Sequence, residues 1–558
     1  MNRNEEQRYS EVDTIETPRS HWNRSFTHKT TFNAGQLVPF YLNMDIIPGT
    51  TIKNETSIVV RSQTPLFPVM DNMYLDTYYF KCSKFWYWEH FRAMMGENKM
   101  GAWTQEIQYT EPKIKTTETR SANINDFMTY IGVPLGIPNL GWSKMAINAY
   151  IDIWNNWFRD QNLQAPVQFD TTDANLECDG TINTGCGLLP VCKFHDYFTS
   201  ALPEPQKGAA VTTPLGVTAP VVGTGYALGL NQNGLGEQSL LQWRTGSVGS
   251  GGGRTIQWNT STTPTLAGSG FSGGSNIQVD GGALAVGVST NPEYSGLIAD
   301  LTSATAATIN ALRLAFATQR ILEKDARFGT YYRNILKGHF GVTASDESLL
   351  VPEYLGGVRQ PINIDQVLQT SSTNATSPLG QTGAFSITTS LNNDFTKSFS
   401  KDDILIGVLC VRADHTYSQG LPRQLTRTER LDRYWPALAH IGNQPIYNYE
   451  IYAQGTDEDN EVFGYKEAWQ EYMYHNNRIS GEMLPQYAQS LDAWHYGDDY
   501  DSLPVLSDEW IVEPTEFIDR TLAVQSETAN QFWADIYITQ SVSAPIPLNR
   551  VPGLVDHF

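Results

Sequence analysis

Hydrophobic and polar positions alternate with a period of two at both ends of the chain. Val38, Phe40, Leu42 and Met44 are separated by outward neighbours, which predicts a half-buried strand. Leu75, Thr77 and Tyr79 repeat the pattern after the Asp71-Asn72 turn, and Phe532, Ala534, Ile536 and Ile538 repeat it near the C-terminus. Residues 404–411 are apolar without interruption except for Gly407, which predicts a strand buried on both faces between charged ends. Proline-bearing turns at Pro39, Pro48 and Pro65 to Pro68 cut the first of these regions into strand lengths. Strands at both ends predict a sheet in which the first and last pair, the arrangement of a jelly roll. The expected fold is therefore mainly β, an eight-stranded antiparallel jelly roll with long inter-strand insertions that contain helices.

Two segments change to the helical period. After Ser143, a suitable N-cap, Ile147, Tyr150, Ile151, Trp154, Trp157 and Phe158 fall on one face. A second helix is predicted over about 303–324, with Ile309, Leu312 and Phe316 on one face and mixed charge opposite. Both are read as packing helices, because apolar stripes usually face a core. Between 209 and 300 the composition shifts to Gly, Ser, Thr and Ala with little charge, and Gly249 to Gly253 sit in its middle. That stretch retains Val, Leu, Trp and Thr, so it is read as a surface insertion with short strands of its own rather than a disordered linker. The expected organisation is an arm over 1–30, a first part of the sandwich over 31–208, the insertion over 209–300, and the remainder over 301–558.

Composition narrows the function. The chain has 558 residues with only 17% charged, against about 25% in an average globular chain, and it holds 14 Trp, 27 Tyr and 23 Phe. Few charges and many aromatic residues suit a chain that buries surface against copies of itself. A formal net charge of -21 argues against nucleic-acid binding by bulk electrostatics, and residues 1–30 carry balanced charges rather than a basic cluster. Any nucleic acid would have to be held locally or by another, basic component. Five cysteines supply no disulfide framework and suggest folding in a reducing compartment. No secretory signal is expected at the N-terminus, and no apolar run approaches the ~20 residues of a membrane span.

Chemical motifs are sparse. Gly270-Phe271-Ser272-Gly273-Gly274 matches a nucleophile elbow in spelling, but its flanks are Gly and Ser rather than a strand and a helix. Cys178, Cys186, Cys192 and His195 are donors suited to zinc, yet their spacing matches no usual zinc site, and buried free thiols are the better reading. Asp457, Asp459 and Glu461 cluster hard oxygen ligands without the glycine and closing glutamate of a calcium loop, so a solvated acidic loop is preferred. His195-Asp196 has no nucleophile that can be nominated beside it. No catalytic residue and no cofactor are assigned.

The order of the motifs resembles one family. Thr31-Phe32-Asn33-Ala34-Gly35, Leu37-Val38-Pro39, Pro48-Gly49-Thr50 and Arg61-Ser62-Gln63-Thr64-Pro65 through Pro68 are similar to the N-terminal signature of microvirus major capsid proteins, most like the gokushovirus branch. So are Trp154-Asn155-Asn156-Trp157-Phe158-Arg159-Asp160-Gln161, His195-Asp196-Tyr197-Phe198, Pro352-Glu353-Tyr354-Leu355-Gly356-Gly357, Arg412-Ala413-Asp414-His415-Thr416-Tyr417 and Pro552-Gly553-Leu554. Asn43-Met44-Asp45-Ile46-Ile47 and Lys401-Asp402-Asp403 depart from the family pattern, as in a divergent member. The resemblance implies a jelly-roll coat protein, sixty copies of which form a T=1 shell around circular single-stranded DNA in a virion assembled in a bacterial cytoplasm. It implies a small basic DNA-binding phage protein as partner, a host cell-surface receptor, and no membrane insertion. The 209–300 insertion would be the host-contacting protrusion, with Gly249, Arg254, Trp258 and Phe271 as candidates. Trp142, Trp154, Trp157, Phe158 and Arg159 are candidate core or interface anchors. An all-β carbohydrate-binding or glycan-active protein is the alternative, since exposed aromatic rings stack on sugars.

Overall fold

In the computed structural model the described residues are 18–98, 108–117, 124–178, 186–212, 309–371, 373 and 378–548, with the backbone of 221–223, 242–243, 254–257, 265–266 and 297–299. The chain divides into two compact units, Met1–Gly208 with Leu322–Phe558, and Ala209–Ile321.

The first unit is mainly antiparallel β. Its eight long strands are β1 (Ser20–Phe32), β2 (Val38–Ile46), β3 (Thr51–Ser62), β4 (Met73–Ser83), β5 (Glu353–Pro361), β6 (Thr388–Ser398), β7 (Asp403–Ala413) and β8 (Phe532–Ala544). They form two four-stranded sheets, one in the order β1-β8-β3-β6 and the other in the order β5-β4-β7-β2. β1 and β8 pair in register from Ser20 with Ala544 to Phe32 with Phe532, so the partner of the last strand lies mostly in the stretch read as an arm and not at the alternating residues 38–44, which pair with β7. β1 begins inside the stretch read as an arm.

A core drawn from both sheets holds them together. Phe532, Ala534, Ile536, Ile538 and Val542 of β8 meet Leu75 and Tyr79 of β4, and Leu405, Leu409 and Val411 of β7. The other face of the second sheet is also dry. Ile404, Ile406, Val408 and Cys410 join Phe80, Cys82 and helix α1 (Lys144–Ile153), which supplies Met145, Ile147, Tyr150 and Ile151. β7 is thus apolar on both sides because both sides are covered, as the unbroken run predicts.

Two local expectations fail for identifiable reasons. β2 does not keep one face buried: its pairing with β7 shifts between Gly407 and Val408, opposite Pro39 to Tyr41. The β-bulge turns the strand over, so Val38 and Phe40 join the inter-sheet core while Leu42 and Met44 pack on the helical side. The second helix is α2, described over Ile309–Phe328 and ending later than predicted; residues 301–308 lie outside the described set. Ile309 and Phe316 are 69% and 67% exposed and Ala326 is the one buried residue of the helix, so among the described residues its apolar stripe is not a packing face. Periodicity reports that a stripe exists, and cannot report what covers it.

Helix α1 follows the sequence closely. Ser143 caps it, accepting from the Met145 N–H, and the ladder then widens into a π turn over Trp154–Phe158. Lys144 is fully buried, and its Nζ is satisfied by Asp170 at 2.9 Å and by the carbonyls of Thr172 and Ala174. The second unit, taken by itself, contains Arg254–Gln257 paired with Gln242–Trp243 and Thr265–Leu266, and Val221–Gly223 paired with Leu297–Ala299.

The glycine pair in β5 has a steric origin. A Cβ on Gly357 would stand 1.9 Å from the Thr77 carbonyl oxygen, and one on Gly356 would stand 2.1 Å from that of Asp394. Both obstacles are backbone and cannot swing aside. Gly357→Ala should therefore lower the unfolding free energy by about 1–3 kcal/mol, read as a fall in the thermal midpoint of the purified chain.

Candidate functional site

The C-terminal end of β7 and the segments around it hold two groups of buried, paired charge. Asp76 of β4 is almost fully buried beside two arginines. Arg359 Nε donates to its Oδ1 at 2.7 Å, and Arg412 Nη2 to its Oδ2 at the same distance. Both guanidiniums also lie over the Phe194 ring, at 4.3 and 4.2 Å from its centroid. Burial alone would push the Asp76 carboxyl up; the two guanidiniums outweigh it and hold the group below the ordinary carboxylate value.

One turn further along, His415 is enclosed by two acids. Its Nδ1 lies 2.9 Å from Asp498 Oδ1 and its Nε2 lies 3.0 Å from Glu513 Oε2. Burial would favour neutral imidazole, but the Asp498 and Glu513 carboxylates carry the pKa up to about 10, so the ring is a cation donating from both nitrogens. Asp498 also accepts from the Tyr500 hydroxyl at 2.9 Å, and Glu513 accepts from the Ala413 N–H at 3.2 Å. The contacts between the members of this trio join separate segments of the chain, which suits a fastener.

The candidate anchors separate on inspection. Trp154 and Phe158 are buried in the chain's own helical-side core, and Trp142 packs against that core beside Phe127. Arg159 donates to the Gln164 carbonyl at 2.6 Å and to the Tyr331 hydroxyl at 3.0 Å. Trp157 is 38% exposed, with Arg333 over its ring and its Nε1 on the Pro352 carbonyl at 3.0 Å. Of the insertion candidates, Arg254 opens a short strand, while Gly249, Trp258 and Phe271 lie outside the described residues, as does the 270–274 motif.

The cysteine reading is corrected. Cys178 and Cys186 are joined as a disulfide, with Cα atoms 6.1 Å apart, whereas Cys82, Cys192 and Cys410 are buried free thiols. The strand Leu176–Cys178 runs beside Lys113–Thr116, and Cys186 accepts from Phe127, so two segments meet that nothing in the spacing announces. Asp457 and Asp459 lie in the 3-10 turn Asp457–Asn460 and Glu461 follows it. The Asp459 carboxylate accepts from the N–H groups of Gln454 and Gly455, at 2.9 and 2.7 Å, and is occupied as a turn cap. Sequence reasoning missed the His415 trio altogether. Asp498 and Glu513 lie 83 and 98 positions after His415, and no local pattern marks the three as neighbours.

Several large apolar side chains are left uncovered. Phe67 stacks on Trp494 at 5.3 Å, and Leu66 and Met70 flank it, Met70 at 72% exposure. On the outer face of the first sheet, Tyr537 of β8 aligns through Ser57 of β3 with Leu391 of β6, which is 82% exposed. Paired internal charges, a strand covered on both sides and uncovered apolar surface suit a structural protein. The chain matches the family of the phage capsid protein (F protein) over residues 10–554. It is 35% identical to the capsid protein VP1 of Bdellovibrio phage phiMH2K over 569 residues, covering 100% of this chain and 99% of that one. It is 33% identical to the capsid protein VP1 of Chlamydia phage 1, covering 98% and 97%. It is also 35% identical to that of Spiroplasma virus 4, covering 94% of each chain. The chain belongs to this phage capsid protein family.

The trio gives a pH profile with a defined sign. The lowered pKa of Asp498, which burial opposes and His415 imposes, contributes stability present above the ordinary carboxylate range and lost on acidification. The raised pKa of His415 contributes stability that is full below its unfolded value of about 6.5 and lost as pH rises through about 10. His415→Gln should cost about 3–5 kcal/mol near neutral pH by leaving two carboxylates unpaired. In the variant the loss on acidification should shrink, as thermal unfolding midpoints taken across pH would show.

Proposed function

We propose that this chain is the major capsid protein of a small phage and assembles, sixty copies to a particle, into a T=1 icosahedral shell around circular single-stranded DNA. The observation that carries the reading is the strand order. Two four-stranded sheets, β1-β8-β3-β6 and β5-β4-β7-β2, are what two interlocked Greek keys produce, and that is the eight-stranded jelly roll common in viral coats. The lone chain leaves Leu66, Phe67, Met70 and Leu391 in water, and such surface is suited to contacts between copies. A net charge of -21 leaves the genome to a second, basic component, so a small basic DNA-binding protein is a partner in this reading. The 209–300 insertion, low in charge and rich in turn residues, serves as the protrusion that meets a receptor on the host. Assembly takes place in the bacterial cytoplasm.

Negative-stain images of the purified chain should show uniform isometric particles. A soluble monomer that binds or cleaves glycans would overturn the reading in favour of a carbohydrate-active β protein. Met70→Asp with Leu391→Asp should leave the subunit folded by circular dichroism. It should cut particle yield by about ten-fold or more, since burying an unpaired charge at a contact removes over 1 kcal/mol per site, repeated around the shell.

A further inference from the structure

Among the described residues, one long edge of the first sheet is open. β1 is bonded along its 13 residues to β8, and it stands last in the sheet order with no second strand beside it. The Tyr130 hydroxyl donates to the Thr31 carbonyl at 2.8 Å, which shows that Thr31 turns its backbone away from β8. In an antiparallel ladder the same orientation recurs at every second residue, so His21, Asn23, Ser25, Thr27 and Lys29 also present N–H and C=O groups to the open side. A row of such groups about 40 Å long is a template for one more strand.

We propose that residues 9–17 of a second copy of the chain add to this edge as a fifth strand. The inference rests on the self-assembling reading above and specifies one of its contacts. Residues 1–17 lie outside the described residues, so the occupant is argued from sequence and from the edge itself. From 19 to 32 the chain carries Arg19, Arg24 and Lys29 with two histidines and no carboxylate. From 9 to 17 it carries Glu11, Asp13 and Glu16 with no lysine or arginine, so an acidic segment meets a strand that offers Arg24 and Lys29 and no carboxylate. Val12, Thr14, Ile15 and Thr17 are β-branched, the residue type that favours a strand.

Two features favour a second copy over the chain's own arm. Folding 9–17 back onto β1 would require a tight hairpin through Thr17-Pro18-Arg19. The mirror-image turns of short hairpins need a positive φ, which proline cannot adopt and arginine disfavours. The chain is also tied on the opposite side as it reaches β1. The Ser20 hydroxyl donates to the carbonyl of Ile546, just beyond β8, and Arg19 Nη2 donates to the Gly49 carbonyl at 2.5 Å. Both tethers draw the approaching chain toward β8 and away from the open edge.

The test uses mixed particles. Full-length chains carrying Val12→Cys are co-assembled with full-length chains carrying Ser25→Cys, then treated with a short bis-maleimide; each variant assembled alone is the control. A cross-linked dimer specific to the mixture is expected, at least about ten-fold more abundant in particles than in unassembled subunits, because assembly holds the groups at millimolar effective concentration. Replacing Glu11, Asp13 and Glu16 by Lys in the Val12→Cys chain should abolish most of that dimer while particles still form. Intact particles without the dimer overturn the proposal. So does a chain bearing both cysteines that cross-links only to itself, which would assign the edge to its own arm. Failure of the unaltered chain to form any particle removes the shell reading and this contact with it.

Discussion

The structure depends on one strand being dry on both sides. β7 lies between β4 and β2 and separates the inter-sheet core from the helical-side core, so its alternate residues are buried in different directions. No polar side chain can be placed in its middle without an unpaid desolvation cost of several kcal/mol. The middle therefore carries Ile, Leu, Val and Cys, and its one interruption, Gly407, lies where the rings of Phe40 and Tyr79 close in. Charge returns only at the rims, as Asp403 and Arg412, and at both rims it is paired.

The rims explain how long insertions stay attached to a compact sandwich. Asp76 with Arg359 and Arg412 ties β4, β5 and β7 together at one end. His415 then ties the segment leaving β7 to Asp498 and Glu513, drawn from the stretch between β7 and β8. A neighbouring small core of Tyr197, Phe198, Tyr417, Ile446 and Phe463 fills the space behind them. Such buried pairs add little net stability over well-packed apolar groups, but a single missing partner is expensive, so they act mainly to reject wrong arrangements.

Much of the fold was legible because it is written in local periodicity. The alternation in β8 and the unbroken run in β7 each report burial directly, and Ser143 marks the start of α1 through an ordinary cap. What stayed hidden depends on spatial neighbours. The bulge in β2 follows from its partner's register, the disulfide of Cys178 and Cys186 from the meeting of two separate segments, and the exposure of the α2 stripe from what lies around it among the described residues. The functional class became readable through the order of many modest motifs, while the individual contact residues did not, because a surface used for association has no required chemistry. Trp154 and Phe158 illustrate the difficulty: the sequence left core and interface open for both, and both lie in the chain's own interior.

The pairing of β1 with β8 has a temporal side. Residues about five hundred positions apart must lie side by side before β1 has a partner in the sheet, and the β3–β6 pair then bonds to the far side of that same β8. During synthesis, β1 and β3 therefore wait without their shared neighbour until nearly the whole polypeptide has been made. Non-local pairing of this kind is slow to nucleate and leaves strand edges open to mispairing in the meantime. Completion of the subunit is thus a late event, and a truncated chain lacking β8 would leave β1 detached from β3 and the inter-sheet core without Phe532, Ile536 and Ile538.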